Sequence, residues 1–299
     1  MDFSATITDG ITSIIELDSN CNFLNYYSIC TDTGIISSKD NDKIMPLRFA
    51  QILSNYVTGN RTGIFLLTNG DILLAKQSEL KFVKRNNKWV NFSSERYINT
   101  LFERTKKEKN KENINLYQQI YATTLDVSFS HSGGIIAIVN YTKLKEKNIL
   151  NFMDDLSSNF TVDYDTLFNI HLKNYKEKYS LSEITIQKES LLKDEFNKVY
   201  IKRQALKSLL GLKNEKILFS SIDRKLRTEL CGLDGAKILD ENGYVIAFGA
   251  IIQNNSGSSG GGRGAAASKL SEFNGFATKI STDGYIELYQ NGEIFYQIK

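Results

Sequence analysis

The sequence predicts an α/β (α+β) protein in which a small α+β domain precedes a larger domain built on a mixed central sheet flanked by helices. Gly133 to Val139 is a glycine-led apolar run, which is typical of a central strand covered on both faces. Hairpin signals, which are short apolar runs joined by turn residues, occupy Gly63 to Phe92 and Phe276 to Ile298. Helical periodicity occupies Leu116 to Leu125 and Ile201 to Leu212 between them. This mixture excludes an all-α or all-β class.

Length and composition are those of a globular protein with a sizeable core. The chain has 299 residues, of which 41% are hydrophobic and 24% charged, and this length is enough for two domains. The formal net charge of +3 is too small to indicate a nucleic-acid or membrane surface, so we expect neither partner. The longest apolar run, Tyr244 to Ile252, is far shorter than the ~20 residues that span a bilayer. The cysteines lack metal-ligand spacing and Met1 to Gly10 lacks a signal-peptide pattern, which together favour the reducing cytoplasm.

Residues 1–110 are predicted to form the smaller domain. Thr12 to Ile36 mixes short apolar runs with polar breaks and is interpreted as strand and loop. Pro46 suits the first turn of a helix that runs to Val57. Gly63 to Phe92 is interpreted as a hairpin extended to a meander, with Trp89 in its core rather than in a ligand-stacking role.

Residues 111–299 are predicted to form the second domain. Lys106 to Glu112 is a charge run that separates two regions of different pattern, and this places the boundary near Lys111. The stretch from about Tyr141 to Lys198 is rich in lysine, asparagine, aspartate and tyrosine and contains no motif that indicates a reaction. We interpret it as an elaboration on the surface of this domain.

Asp234 is the first candidate for a chemical role. It precedes a short strand, Lys237 to Asp240, after which Asn242-Gly243 is predicted to supply two positive φ angles for a tight turn. Asp234 therefore lies at a strand end, where it either reaches a cleft and binds Mg²⁺ or Mn²⁺, or is a plain surface carboxylate. Gly235 and Ala236 lack bulk, so that a nucleotide can approach the backbone closely.

A glycine-rich loop that opens a helix is the second candidate. Unpaired backbone N–H groups at such a helix N-terminus, together with the helix dipole, hold an anion. Arg263 adds a forked cation suited to phosphate. The alternatives are a flexible linker and an ordinary surface arginine. A metal-binding carboxylate and a phosphate cradle in one domain indicate a nucleoside triphosphate. The glycines concerned are Gly260, Gly261, Gly262 and Gly264.

Four sets of residues follow one another in the chain. They are Asp126-Val127-Ser128 with Gly133-Gly134-Ile135-Ile136-Ala137-Ile138, then Leu233-Asp234-Gly235-Ala236, then Gly261-Gly262-Arg263-Gly264-Ala265-Ala266-Ala267, and finally Ile280-Ser281-Thr282-Asp283-Gly284. In this order and at these intervals they resemble the diadenylate cyclase (DAC) domain family, which makes cyclic di-AMP from two ATP molecules. The resemblance covers about Asn113 to Lys299. It implies that Ser281, Thr282 and Asp283 contribute to nucleotide binding, whereas the residue types alone fit a plain turn equally well.

The resemblance implies a metal-dependent nucleotidyltransferase. Asp234 is expected to bind Mg²⁺ or Mn²⁺ and to activate the 3′-hydroxyl of one ATP, while Arg263 and the neighbouring amides hold the triphosphate. Two protomers are expected to face each other in a dimer or higher oligomer, because each ATP attacks the other. Residues 1–110 suit the variable sensor domain that such families carry.

The sequence also departs from the family's pattern. In the Gly-Thr-Arg-His-Arg-Ala-Ala motif only the first arginine is matched, by Arg263, and Gly264 and Ala265 stand in place of the histidine and the second arginine. One alternative is therefore a catalytically degenerate sensor that binds a nucleotide or a cyclic dinucleotide. Another is an interaction module in which the glycine loop is structural.

Overall fold

The computed structural model describes residues 13–28, 45–46, 57–67, 70–157, 163–212, 216–252 and 261–299. It combines helices with sheets, one of them a mixed six-stranded sheet, and this confirms the predicted α+β class. The chain divides into two compact units, residues 1–131 with 282–286 and 296–299, and residues 132–281 with 287–295. The domain boundary near Lys111 stays a prediction.

The first unit contains a ribbon and a sheet among its described residues. β1 (Ser13–Leu17) pairs antiparallel with β2 (Phe23–Ser28). A second set of strands, antiparallel and in chain order, confirms the predicted hairpin and meander. Most of the helix predicted from Pro46 to Val57 lies outside the described residues. The strands of the meander are β3 (Thr62–Leu66), β4 (Ile72–Lys76), β5 (Glu79–Arg85) and β6 (Lys88–Asn91).

The two faces of this four-stranded sheet differ in burial. The buried face carries Leu73, Ala75, Leu80, Val83 and Val90. The opposite face leaves large apolar side chains exposed, namely Ile64, Leu66, Phe82 and Trp89. Trp89 is 56% exposed, so the prediction that it lies in the core is wrong. Successive side chains of a strand point to opposite faces, and Val90 takes the inward position of β6.

Two helices follow the sheet, and the second contains Leu116 to Leu125, where the periodicity predicts a helix. α1 (Ser94–Thr105) begins where the Ser93 hydroxyl accepts the N–H of Arg96 at 3.3 Å. α2 (Lys111–Phe129) begins where the side chain of Asn110 accepts the N–H of Asn113 at 2.9 Å. Aromatic side chains join the helices, since the Tyr97 and Tyr121 ring centroids lie 4.5 Å apart.

The second unit is built on the six-stranded sheet. Its order is β12-β11-β10-β7-β8-β9, with β7 parallel to β8, and with β9 antiparallel to β8 and β10 antiparallel to β7. β7 is buried at every position, which confirms it as a central strand. The C-terminal strands also confirm the predicted meander. The strands are β7 (Gly134–Ile138), β8 (Ala236–Leu239), β9 (Val245–Ala250), β10 (Phe276–Ile280), β11 (Ile286–Gln290) and β12 (Glu293–Ile298).

Two Asn-Gly pairs in this sheet adopt different turns. Asn291 and Gly292 both have positive φ, 52° and 84°, as a two-residue hairpin turn requires. Asn242 does not have positive φ, so the predicted tight turn between β8 and β9 is wrong, and only Gly243 has it, at 84°. The Asp240 carboxylate explains the difference, because it accepts the N–H groups of Asn242 and Tyr244 at 2.9 Å each and so stabilises a longer turn.

Five described helices accompany the sheet. The predicted elaboration is a pair of long helices with an aromatic core of its own, in which Phe168 and Phe196 lie 5.3 Å apart. The helix predicted over Ile201 to Leu212 is the C-terminal part of the second of these. The helices are α3 (Tyr141–Glu146), α4 (Tyr164–Tyr179), α5 (Ile186–Leu209), α6 (Arg224–Gly232) and α7 (Gly261–Ser271).

Buried basic side chains on α5 lead to a first prediction, on stability. Burial, and then the charge of Arg203, lower the pKa of Lys207 to about 8 from the ordinary 10.5. The pKa of Lys207 is lower in the folded than in the unfolded state, so its charge destabilises the fold. This destabilisation is complete below pH 8, and it disappears as the pH rises towards 10.5. Lys207→Met is therefore expected to raise the melting temperature by a few degrees at neutral pH.

Thermal unfolding of wild type and Lys207→Met on both sides of the folded pKa checks this prediction. The gap between the two melting temperatures should shrink as the pH rises above 8. A gap that stays constant with pH would assign the effect to packing of the methionine and contradict the charge argument.

Candidate functional site

Residues that are far apart in the sequence come together where four strands of the six-stranded sheet begin or end. This border across the strand ends is called the edge of the sheet below. β7 and β8 are parallel, so both begin at this edge, whereas β9 and β10 run in the opposite direction and end there. Gly133 and Asp234 therefore lie just before strands that start at the edge. Ile251 and Ser281 lie just after strands that finish there.

Asp234 lies in the turn between α6 and β8, with its side chain exposed. One carboxylate oxygen, Oδ1, accepts the N–H of Gly235 at 2.9 Å, and within the described ranges the other oxygen has no hydrogen-bond partner. The end of β9 lies close behind this turn. A Cβ atom placed on Gly249 would stand 2.9 Å from the carbonyl oxygen of Asp234. The carboxylate is thus fixed through one oxygen and open at the other.

Arg263 reaches the same edge from the first turn of α7. A Cβ atom on Gly133 would stand 2.6 Å from the Nη1 atom of Arg263 and 3.2 Å from the carbonyl oxygen of Ile280. The guanidinium therefore lies over the start of β7 and beside the end of β10. It is half-buried, and it forms no ion pair with any acidic side chain that the structure describes.

Lys237 is a fully buried lysine next to these two groups, and the sequence reasoning did not single it out. Its ammonium group donates to the carbonyl oxygens of Leu233 and of Gly235, the latter at 2.9 Å. Burial lowers the pKa of Lys237 to about 8; Cys231 and Asp234 oppose this, and Arg263 and Lys202 reinforce it. Asp234 and Arg263 thus both act electrostatically on one buried ammonium group.

Lys202 extends to this edge from the C-terminal part of α5. Its ammonium donates to the carbonyl oxygen of Gly249 at 2.5 Å and to the carboxylate of Asp154 at 3.2 Å. Burial raises the pKa of Asp154, and Lys202 opposes that shift. The C-terminal part of α5 therefore holds the end of β9 beside the Asp234 turn.

The small predicted site residues differ in what surrounds them. A Cβ atom on either Gly261 or Gly262 would meet no atom of the described residues within 4 Å. A Cβ on Gly264 would stand 3.8 Å from the Tyr289 hydroxyl and 3.9 Å from the ammonium of Lys279, so this residue faces the sheet. Gly260 and the rest of the loop lie outside the described residues.

Ala236 is buried in the hydrophobic core of the second unit. Its side chain therefore packs inside the protein, although its backbone remains beside Asp234. Ser281 follows β10 at the same sheet edge.

Thr282 and Asp283 are exposed and belong to the first unit. There the Thr282 carbonyl oxygen lies 3.0 Å from Nδ1 of His131, and the carbonyl oxygen of Gly284 accepts the hydroxyl of Ser128 at 2.6 Å. The turn that follows β10 is therefore held by the C-terminal end of α2 and the residues after it.

Asp234 is the residue that the sequence analysis predicts to bind a divalent cation. The described residues contain no cluster of three or more histidine, cysteine, aspartate or glutamate side chains suited to a metal. Mg²⁺ in nucleotide sites needs only one or two carboxylates, because substrate phosphates and water complete its shell. An exposed carboxylate with one free oxygen fits that requirement.

Comparison with known proteins gives little. No family model matches the sequence, and no curated protein matches it. One solved structure that is similar is the crystal structure of a hypothetical membrane spanning protein from Bacillus cereus, with a TM-score of 0.29 and 14% identity, covering 69% of this chain and 88% of that chain. Among the described helices of the present chain, none has the length and apolar character needed to cross a bilayer.

Proposed function

We propose that this protein is a cytoplasmic, metal-dependent nucleotidyltransferase that condenses two ATP molecules into cyclic di-AMP under the control of an N-terminal sensor domain. One observation carries the proposal. An exposed carboxylate with a free oxygen, Asp234, lies at the same sheet edge as the guanidinium of Arg263, which has no acidic partner among the described residues.

Each of these groups has a role in the proposed reaction. Arg263 and the N–H groups of the first turn of α7 bind the triphosphate. Asp234 binds Mg²⁺ or Mn²⁺, and when bound the ion supplies neutralisation of phosphate charge and a lower pKa for the attacking ribose hydroxyl. Gly261 and Gly262 leave space above the helix N-terminus for the phosphates. Lys202 and Lys237 add positive charge at this edge, where the chain lacks the second arginine of the DAC motif.

Closure of a cyclic dinucleotide requires two ATP molecules, in which the 3′-hydroxyl of each attacks the α-phosphate of the other and each α-phosphate releases pyrophosphate. Each protomer offers one such edge, so two copies related by a two-fold axis supply the pair. We therefore expect activity to depend on self-association.

A second prediction tests the function directly. Pure protein incubated with ATP and Mn²⁺ should yield cyclic di-AMP, detected by mass spectrometry. Asp234→Asn should lower the rate by about 100-fold or more, because it removes the metal ligand. Arg263→Gln should weaken ATP binding by about 10- to 100-fold, because it removes charge-assisted hydrogen bonds.

Asp194→Asn is the matched control, since Asp194 is an exposed carboxylate on α5 and should behave as wild type. Absence of any cyclic dinucleotide from wild type, or equal rates in wild type and Asp234→Asn, would reject the enzymatic proposal.

A catalytically degenerate sensor is the second candidate. It is favoured by Gly264 and Ala265, which stand in place of the motif's histidine and second arginine and remove two side-chain donors. Calorimetry separates the possibilities. Tight binding of ATP or cyclic di-AMP without conversion would support the sensor, and failure to bind any nucleotide would leave an interaction module.

A further inference from the structure

Lys237 occupies a position at which the fold calls for an apolar side chain. β8 is buried at all four positions, and its other residues are alanine, isoleucine and leucine. An ammonium group that is buried in this strand loses its hydration, which costs several kcal/mol unless partners replace the lost water. Among the described residues, Lys237 has two such partners, the main-chain carbonyl oxygens of Leu233 and Gly235.

These two carbonyls flank Asp234. Lys237 therefore holds the peptide group before Asp234 and the peptide group after Gly235, while the N–H of Gly235 holds one oxygen of the Asp234 carboxylate at 2.9 Å. The two constraints together leave the carboxylate few orientations. Lys202 binds the carbonyl oxygen of Gly249, so the end of β9 that lies next to the Asp234 turn is held as well.

We infer that Lys237 is a positioning residue, which uses its bonds to the Leu233 and Gly235 carbonyls to aim the free oxygen of Asp234 at a nucleotide-bound divalent cation. The reference to a nucleotide rests on the proposed function. The restraint that Lys237 places on the Asp234 turn, called the clamp below, rests on the two hydrogen bonds and the burial of the lysine. No reacting atom touches Lys237, which acts through Asp234.

The decisive variant is Lys237→Met, which keeps most of the side-chain volume and removes the charge and the donors. Because burial disfavours the charged form of this lysine, the melting temperature should stay the same or rise. The kcat for cyclic dinucleotide formation should nevertheless fall about 10- to 100-fold, as for other groups that orient a metal ligand, with a much smaller change in KM for ATP. Lys237→Gln, which keeps an N–H donor, should recover part of the loss.

Lys207→Met is the matched control, because it also replaces a buried lysine but lies on α5 away from the turn. A readout that needs no nucleotide is the NMR signal of the Gly235 amide. Isotope labelling of Asp-Gly peptide bonds gives three such signals, from Asp9-Gly10, Asp234-Gly235 and Asp283-Gly284. Asp234→Asn identifies the one that belongs to Gly235. This signal should move in Lys237→Met and stay in place in Lys207→Met.

The outcomes separate this inference from the proposed function. If wild type neither binds nor converts ATP but the Gly235 signal moves as expected, the proposed function fails and the clamp stands. An unmoved Gly235 signal in Lys237→Met would overturn the inference, even if wild type makes cyclic di-AMP. Unfolding of both Lys237→Met and Lys237→Gln would also overturn it, because the lysine would then be a folding residue rather than a positioning one.

Discussion

Replacing Gly275 by alanine is expected to destabilise the second unit by about 3–5 kcal/mol, the largest loss of stability that we anticipate from a single methyl group. Gly275 lies between α7 and β10. A Cβ atom there would stand 1.8 Å from the carbonyl oxygen of Ile138 and 3.1 Å from Cα of Val139. These are backbone atoms at the end of the central strand β7, and they cannot rotate away as a flexible side chain can.

Urea unfolding of Gly275→Ala against wild type measures the effect, and Gly262→Ala is the control. Gly262 is the second residue of α7, and a methyl group on it would meet no described atom within 4 Å. Because alanine is the better helix former, Gly262→Ala should be neutral or slightly stabilising. Equal stability of Gly275→Ala and wild type would mean that β7 yields to the methyl group, which contradicts the close packing described for this strand.

Much of the fold was predictable because its signals are local. β7 is recognised by an apolar run without polar interruption, and the C-terminal meander by the turn pair Asn291-Gly292. Asn242-Gly243 has the same composition and a different turn. The difference comes from Asp240, whose carboxylate binds two backbone N–H groups of the loop. A dipeptide therefore predicts that the chain reverses, whereas the neighbouring side chain decides how.

Burial in the four-stranded sheet was less predictable. In β6 the residues Trp89 and Val90 are both apolar and point to opposite faces, and the strand sequence does not say which face the core covers. The larger side chain was expected inside. The structure instead buries Val90 together with Val83, its register partner on β5, and leaves Trp89 exposed.

The candidate site was predictable in part for a similar reason. Asp234 and Arg263 stand out in the sequence because of their neighbours, since Asp234 precedes the small residues Gly235 and Ala236 and Arg263 lies in a glycine-rich loop that opens a helix. Lys237 does not stand out, since its partners are main-chain carbonyls that come within reach only once the turn has formed. Lys202 is 47 residues from the carbonyl of Gly249 that it binds, and no local pattern signals that contact.

Replacing Gly235 by alanine is expected to have the largest effect on nucleotide binding of any single methyl group. Gly235 has φ of +91°, which an alanine adopts only with strain. A Cβ atom on it would stand 2.6 Å from the carbonyl carbon of Gly249 and 2.8 Å from the carbonyl oxygen of Ala250. The turn must therefore move away from β9, and it takes the Asp234 carboxylate with it.

The affinity of Gly235→Ala for Mn²⁺-ATP is expected to fall by about 100-fold or more, because a displacement of the carboxylate by about 1 Å is enough to cause such a loss. Calorimetry at low temperature, where the variant is still folded, measures this affinity. Gly249→Ala supplies the comparison from the other strand. Its Cβ would stand 2.9 Å from the carbonyl oxygen of Asp234 and 3.3 Å from the ammonium of Lys202. It would therefore push on the same contact between the Asp234 turn and β9, but from the β9 side. If the contact between the Asp234 turn and β9 orients the Asp234 carboxylate, both variants should lose nucleotide binding together. Loss in Gly235→Ala alone would show that a bound nucleotide needs the space at Gly235 itself, and full binding in both would rule out the backbone as the group that orients the carboxylate.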